Sequence, residues 1–108
     1  MFEDFFKWAF HTGKEIVNNQ RYDKEKGKDL LRRLIFDIRA EETPGRFLEK
    51  LSERITEYKT NTNIQADVSM KPEIMKKELY GDRFYYLKAA ILTGFLNALS
   101  EEREERGE

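Results

Sequence analysis

This 108-residue chain has no cysteine, a single histidine and only two prolines. Without cysteine it can form no disulfide, bind no metal through a thiolate and use no thiol nucleophile. One histidine cannot supply the several imidazole ligands of a histidine-based zinc site. These absences exclude disulfide-stapled folds, thiolate or histidine-rich metal centres and cysteine-dependent catalysis. We expect no bound metal and no cofactor.

The chain also lacks a long uninterrupted apolar run. Its longest apolar stretch, 84–100, is too short for a convincing membrane span and is interrupted by Lys88 and Asn97. The first residues are aromatic but include Glu3 and Lys7, which do not fit a signal peptide. Together these features predict a cytoplasmic protein with no membrane partner.

A strong excess of one charge is missing as well. Charged residues make up 38% of the chain, yet the formal net charge is only −1. Such a chain cannot coat a nucleic acid through bulk positive charge, so any anion binding must come from local patches. Hydrophobic residues make up 39% and aromatic residues 13%, which is enough for one core in a domain of this length.

The apolar periodicity predicts an all-α fold, a single-domain bundle of about five helices around a hydrophobic C-terminal helix. The stretch from Phe84 to Ser100 has apolar side chains around most of a helix's circumference, which is typical of the buried centre of a small bundle. Four amphipathic helices are predicted to pack around it, over about 2–19, 28–41, 44–59 and 72–80. We take residues 1–100 as the domain and 101–108 as a frayed or disordered charged tail.

Turn-forming residues mark the boundaries between these helices. Thr43 is predicted to cap the third helix, because its hydroxyl can accept from a free backbone N–H in the first turn. A polar stretch over 18–28, with Gly27 as its break, predicts the loop before the second helix. Residues 60–71 predict another long loop, and Asp82 is the expected cap of the C-terminal helix.

No catalytic motif is present. The sequence has no nucleophile elbow, no phosphate-cradling glycine-rich loop and no H-E-x-x-H zinc motif. His11 has no evident partner, and a lone histidine of this kind is more often structural than catalytic. The acidic pairs at 41–42 and 101–102 stand in charge-rich sequence, where a solvated surface explains them better than a metal site. We therefore predict that the protein is not an enzyme.

Basic residues form a more informative pattern on the third helix. Arg46, Lys50 and Arg54 recur every four positions, and a row of cations at such steps can follow a phosphate backbone. Each of them is followed three positions later by a glutamate. The row can therefore equally be a solvated face of paired charges that supports the helix.

The second helix carries the cleaner basic signal. Arg32, Arg33 and Arg39 lie away from its apolar face and offer multi-donor recognition of phosphate. Phe36 stands among them and could stack on an unpaired base, although it could equally pack against another protein. Nucleic-acid contact and protein contact both stay open for this helix.

Aromatic residues on the first helix exceed what one buried face needs. Trp8 and Phe10 lie off the apolar stripe, so they either widen the core face or form an edge that meets a neighbouring subunit. The core interpretation is favoured, because isolated monomers seldom carry large apolar surface patches.

Lys88 falls in the middle of the apolar face of the C-terminal helix. A buried lysine needs a partner or a route to water, and the favoured interpretation is a buried stem with an ammonium that reaches solvent. A buried ion pair and contact with an outside anion are the alternatives. Thr93, Asn97 and Ser100 share the opposite side, either as a solvated seam or as a polar contact with a neighbour.

Two segments, 43–48 (TPGRFL) and 84–99, together with the outward-facing arginines, resemble the small subunit of CRISPR Cascade-type effector complexes. The resemblance spans most of the chain in architecture. It implies a non-catalytic role in antiviral defence, in which copies stack in an array beside the other subunits of a ribonucleoprotein complex. They would help to hold target nucleic acid, notably a displaced strand. Under this resemblance the positions that contact RNA or single-stranded DNA are Arg32, Arg33, Arg39, Arg46, Lys50 and Arg54.

The competing prediction is a helical protein–protein adaptor or regulator, of viral origin for example, that binds no nucleic acid. Spare aromatic residues would form its interface, because aromatic side chains are enriched at protein contacts. These residues are Trp8, Phe10 and Phe36.

Overall fold

In this computed structural model of the protein, the structure describes residues 2–18, 24–62 and 83–105. These residues form four helices and no strand, so the described part of the chain is all-helical. Numbered in chain order, the helices are α1 (Phe2–Asn18), α2 (Lys24–Arg39), α3 (Pro44–Thr62) and α4 (Phe84–Glu105). The fifth helix expected at 72–80 and the cap expected at Asp82 lie outside the described residues.

Two hydrogen bonds between α2 and α3 show the relative direction of these helices. Late in α3, the hydroxyl of Tyr58 donates to the carbonyl of Leu30 near the start of α2. One turn earlier, Arg54 donates to Asp37 near the end of α2. The two helices are therefore antiparallel and are joined by the short turn at 40–43.

The first and last helices pack closely through glycines. A Cβ on Gly94 would lie 2.5 Å from the carbonyl oxygen of Phe6 and 2.7 Å from the Cβ of Ala9. A Cβ on Gly13 would lie 2.8 Å from the Cβ of Ala98. These distances leave no room for a side chain, so glycine permits the close approach. Earlier residues of α1 meet earlier residues of α4, so the two helices run parallel.

All four helices contribute to one core. Their fully buried side chains include Ile16, Leu34, Phe47 and Phe95, one from each helix. Phe47 and Phe84 meet edge to face with ring centroids 5.7 Å apart, which joins the start of α3 to the start of α4. The four described helices therefore share one core, in which α1 and α2 pack against α4 and α3 packs mainly against α2.

Thr43 caps α3, as the sequence predicts. Its hydroxyl accepts from the N–H of Arg46 at 3.4 Å, and its carbonyl accepts from the N–H of Phe47 at 2.9 Å. Pro44 occupies the first position of the helix, where its missing N–H costs no hydrogen bond.

The predicted loop over 18–28 is wrong in its second half. The helix α2 already begins at Lys24, and Gly27 is buried within it instead of breaking the chain. A glycine costs a helix only about 1 kcal/mol relative to alanine, which packing offsets. Lys28 is also buried, with its ammonium 3.6 Å from Glu25 one turn earlier.

Two helices extend further than their apolar patterns. The helix α3 continues to Thr62, three residues into the expected loop, and α4 continues to Glu105. The segment expected as a frayed tail is therefore helical as far as that residue. Glutamate and arginine are strong helix formers, so a helix can continue past its last buried residue.

The prediction that α4 is buried almost all round is wrong. Leu87, Ile91 and Phe95 are fully buried, but Tyr85 and Leu96 are 69% and 52% exposed on another face. We call this exposed side the uncharged α4 face. Its residues are Tyr85, Tyr86, Ala89, Thr93, Leu96, Asn97 and Ser100.

Two polar side chains on the uncharged α4 face bond to backbone carbonyls of the helix itself. The Thr93 hydroxyl donates to the carbonyl of Ala89 at 2.7 Å, and the Asn97 amide donates to the carbonyl of Thr93 at 2.9 Å. These bonds favour the solvated seam over a polar contact with a neighbour.

Of the helices that the structure describes, none combines the length and apolarity needed to cross a bilayer.

Replacement of Gly94 by alanine is expected to destabilise the fold by about 1–3 kcal/mol, the usual cost of overpacking. The new methyl would meet the carbonyl oxygen of Phe6 at 2.5 Å and the backbone nitrogen of Phe10 at 3.0 Å, and neither atom can rotate away. Urea unfolding followed by circular dichroism measures the change.

The matched control is Ser100→Ala on the exposed side of the same helix, expected to stay within about 0.5 kcal/mol of wild type. Gly13→Ala should fall between the two, because its methyl would make one contact shorter than 3.0 Å, with the Cβ of Ala98, whereas the methyl of Gly94→Ala would make two. Stabilisation by Gly94→Ala would contradict the close approach of α1 and α4.

Candidate nucleic-acid interface

The helix α2 presents its arginines to solvent because its apolar side chains are used on the opposite side. The fully buried residues of that side are Leu31, Leu34 and Ile38. Arg32, Arg33 and Arg39 are all exposed, as the sequence predicts. The cationic side of α2 is thus a direct result of helical periodicity.

These three arginines differ in their partners. Arg32 lies 2.7 Å from Asp29, and both side chains are largely exposed. Such a surface pair contributes about 0–1 kcal/mol, so a phosphate can compete for the guanidinium. Arg33 and Arg39 form no ion pair with a carboxylate in the part of the chain that the structure describes.

On α3, the basic row does not keep to one flank. Steps of four residues advance by about 40° on a helix of 3.6 residues per turn. The row therefore turns from solvent towards α2, and side-chain exposure falls from 78% at Arg46 to 29% at Arg54. Lys50, between them, is half-buried and forms no ion pair with a described carboxylate.

Arg54 holds α2 and α3 together. Its Nε lies 2.7 Å from Asp37 on α2, and another guanidinium nitrogen lies 3.0 Å from Glu57 on its own helix. The hydrogen bond to Asp37, followed by that to Glu57, raises the pKa of Arg54. A phosphate at this position must compete with two carboxylates of the protein itself.

The predicted pairing of the row with glutamates three residues later holds at one position. Arg54 pairs with Glu57 in this way. Arg46 instead lies 3.8 Å from Glu41, which precedes the helix. At that distance and exposure the contact restrains the Arg46 guanidinium only weakly.

Tyr58 forms a second link between α3 and α2. Its ring is buried, and its hydroxyl donates to the carbonyl of Leu30 at 2.8 Å. Burial, which disfavours the charged phenolate, raises the pKa of Tyr58 to about 12. The link therefore needs a protonated phenol.

An arginine and a phenylalanine are stacked on the outer side of α2. The guanidinium carbon of Arg39 lies 5.1 Å from the ring centroid of Phe36. A cation–π contact at an exposed site is worth about 0.5–1 kcal/mol, so it restrains the arginine without neutralising it. The ring itself remains 62% exposed.

Lys88 closes the C-terminal end of α2. Its ammonium donates to the carbonyl of Arg39 at 2.8 Å and to that of Glu41 at 2.6 Å. Cations are favourable at a helix C-terminus because its free carbonyls carry partial negative charge. The sequence offered three interpretations for this lysine, and backbone carbonyls of another helix were not among them. Because Lys88 binds the carbonyls of Arg39 and Glu41, their partial negative charge repels an anion near Arg39 less strongly.

The aromatic residues proposed for a protein interface separate into two groups. Trp8 packs against the core, with its ring centroid 6.0 Å from that of Phe95 in an edge-to-face contact. Phe10 also packs against the core and stacks on Phe6 at 6.4 Å. The core interpretation therefore accounts for these two, whereas Phe36 stands in solvent.

Metal-ligating groupings are absent from the described part of the chain, where no three His, Asp or Glu side chains lie close enough to hold an ion. His11 is exposed, with its ring 5.7 Å from that of Phe10.

Comparison with protein-family models, curated proteins and solved structures gives no match to this chain. The fold and the surface chemistry of the helices therefore carry the functional argument.

Replacement of Lys88 by methionine is expected to cost about 1.5–3 kcal/mol of stability, the range for hydrogen bonds to a charged group. Methionine keeps the apolar stem but leaves the carbonyls of Arg39 and Glu41 without their donor. Urea unfolding measures the loss, with Lys7→Met at an exposed position as the control that should change little. Equal stability of the two variants would refute the cap.

Stability at alkaline pH is expected to depend on Tyr58. Its folded-state pKa of about 12 exceeds the value of about 10 in an unfolded chain, so the folded state binds the phenol proton more tightly. The free energy of unfolding should fall by about 2 kcal/mol between pH 10 and pH 12 from this group alone. Urea unfolding at both pH values should show a smaller fall for Tyr58→Phe, and equal falls would contradict the argument.

Proposed function

We propose that this protein is a non-catalytic helical subunit of a nucleoprotein complex that contacts the phosphate backbone of RNA or single-stranded DNA. The observation that carries the proposal is the outer side of α2. There Arg33 and Arg39 are exposed and form no ion pair within the described part of the chain. Protein cations without a carboxylate partner can neutralise the phosphates of a nucleic acid and release its counterions.

Other cations of the two helices would strengthen this contact to different extents. Arg32 is exposed and held only by a surface pair, and Arg46 is 78% exposed. Lys50 is half-buried on the same helix as Arg46. Arg54 is expected to contribute least, since Asp37 and a second carboxylate already bind it.

Few phosphate contacts give weak binding by a single copy, so the proposed role requires assembly. Linked weak sites gain affinity because the second contact becomes intramolecular. The resemblance to small subunits of Cascade-type effectors implies such an array, with several copies beside a guide RNA and its target in antiviral defence. Binding in the assembled complex should therefore exceed binding by the isolated protein.

A second candidate function is a protein–protein adaptor, and the uncharged α4 face favours it. In a chain with 38% charged residues, the exposed side from Tyr85 to Ser100 carries no charge. Lys88 lies in this range, but its ammonium is bonded to carbonyls of the α2 end. Aromatic residues without charges around them are typical of interface centres.

Removal of two arginines tests the proposed function. Arg33→Ala combined with Arg39→Ala should weaken binding of a labelled single-stranded oligonucleotide about tenfold or more. The slope of log affinity against log salt should fall by about 1.4, or about 0.7 for each lost contact. Fluorescence anisotropy over a salt series measures both quantities.

The matched control removes the same charge elsewhere. Lys7→Ala combined with Arg83→Ala changes two exposed cations outside the α2 surface and should leave both quantities near wild type. Equal losses in the two double variants would attribute binding to net charge alone. Wild-type protein that binds no strand, alone or in its complex, would overturn the proposal.

The adaptor is tested separately by sedimentation. Leu96→Lys places a charge on the uncharged α4 face, and Ser52→Lys places one on an exposed position of α3. Loss of self-association in Leu96→Lys but not in Ser52→Lys, with oligonucleotide binding unchanged, would favour the adaptor over the nucleoprotein subunit.

A further inference from the structure

Phe36 occupies the centre of the exposed arginine surface of α2. It lies three residues after Arg33 and three before Arg39, which places the arginines about 60° to either side of it and about 4.5 Å along the axis. Its ring is 62% exposed, which is unusual for a phenylalanine. The chain therefore exposes an aromatic ring between two cations that have no described carboxylate partner.

The backbone that carries this ring is anchored on several sides. Asp37, the next residue, binds Arg54 of α3 at 2.7 Å. Ile38 is fully buried, and the carbonyl of Arg39 accepts from Lys88 at 2.8 Å. A backbone fixed in this way loses little conformational freedom when a ligand covers the ring, which favours binding.

The contact between Arg39 and Phe36 adds to this preorganisation. The guanidinium carbon lies 5.1 Å from the ring centroid, yet most of the ring stays accessible. An arginine above an aromatic ring can bind a phosphate through its edge while its flat face remains on the ring. A flat group that lies on the free part of the ring would then have a bound phosphate beside it.

We infer that Phe36 is a base-stacking platform, on which one unpaired base lies while Arg33 and Arg39 bind the phosphates to either side. The inference rests on the proposed function and deepens it by naming the residue that recognises bases. Stacking on an aromatic ring tolerates every base because each base has a flat face. Paired bases inside a duplex do not offer that face, so Phe36 makes the surface select unpaired strands.

Charge complementarity points to this occupant in preference to an apolar protein partner. A protein that covered Phe36 with apolar residues would also have to desolvate Arg33 and Arg39, which is costly without paired anions. A nucleic-acid strand supplies a flat base and flanking phosphates together. An acidic protein segment remains an outcome of the test.

The test compares two strands of equal length and charge, one with bases and one with abasic sites throughout. Wild-type protein should bind the strand with bases about 5- to 160-fold more tightly, the range that stacking of one base gives. Phe36→Leu, which keeps an apolar side chain without a ring, should bind both strands equally. Phe36→Trp should retain or increase the preference.

Two measurements separate stacking from other effects of the substitution. The salt dependence of Phe36→Leu should match wild type, because no cation is removed, whereas the Arg33/Arg39 double variant has a smaller slope. Phe36→Leu should also shift the urea midpoint only slightly, since the ring is exposed and only its contact with Arg39 is lost.

Each outcome distinguishes the inference from the function on which it rests. Salt-dependent binding that is equal for the two strands would overturn the platform and leave the backbone contact in place. Absence of binding to both strands, by the isolated protein and by its assembled complex, would overturn the proposed function itself. Loss of a protein partner in Phe36→Leu, with strand preference unchanged, would assign the ring to a protein interface and overturn the platform.

Discussion

The close approach of α1 and α4 is the contact from which the rest of the bundle follows. Gly94 and Gly13 let the two backbones come within a distance that any side chain would prevent. The contact joins the two ends of the described chain, and Lys14 and Glu101 pair across it at 3.3 Å. Because α4 is held against α1, the antiparallel pair of α2 and α3 packs on a fixed partner.

Lys88 on α4 holds the C-terminal end of α2 in place. Lys88 reaches the carbonyls of Arg39 and Glu41, so the segment that carries the outward arginines is attached to the bundle centre. On its other side, Arg54 and Tyr58 bind α2 to α3. The cations thus fall into two groups, those that hold helices together and those that remain for a ligand. A formal net charge of −1 conceals this division, since anion binding depends on local charge.

Much of the fold is local and could be predicted from sequence. Periodic apolar residues identify the four described helices, and Thr43 before Pro44 identifies the cap of α3. The start of α2 could not be placed, because Gly27 is a weak helix breaker that burial overrides. The exposed side of α4 was missed for a related reason. Apolar composition shows that a helix can be buried, but only the arrangement of its neighbours decides which side is covered.

The candidate site divides in the same way. Sequence alone determined that Arg33, Phe36 and Arg39 lie away from the apolar face of α2, since helical geometry follows from the order of residues. It could not separate Arg33 from Arg54, which are the same residue type on neighbouring helices. Only the tertiary structure decided that Asp37 stands 2.7 Å from Arg54, while Arg33 has no described carboxylate at that range. The physical reason is that a carboxylate neutralises a cation through distance in space, which separation along the chain does not specify.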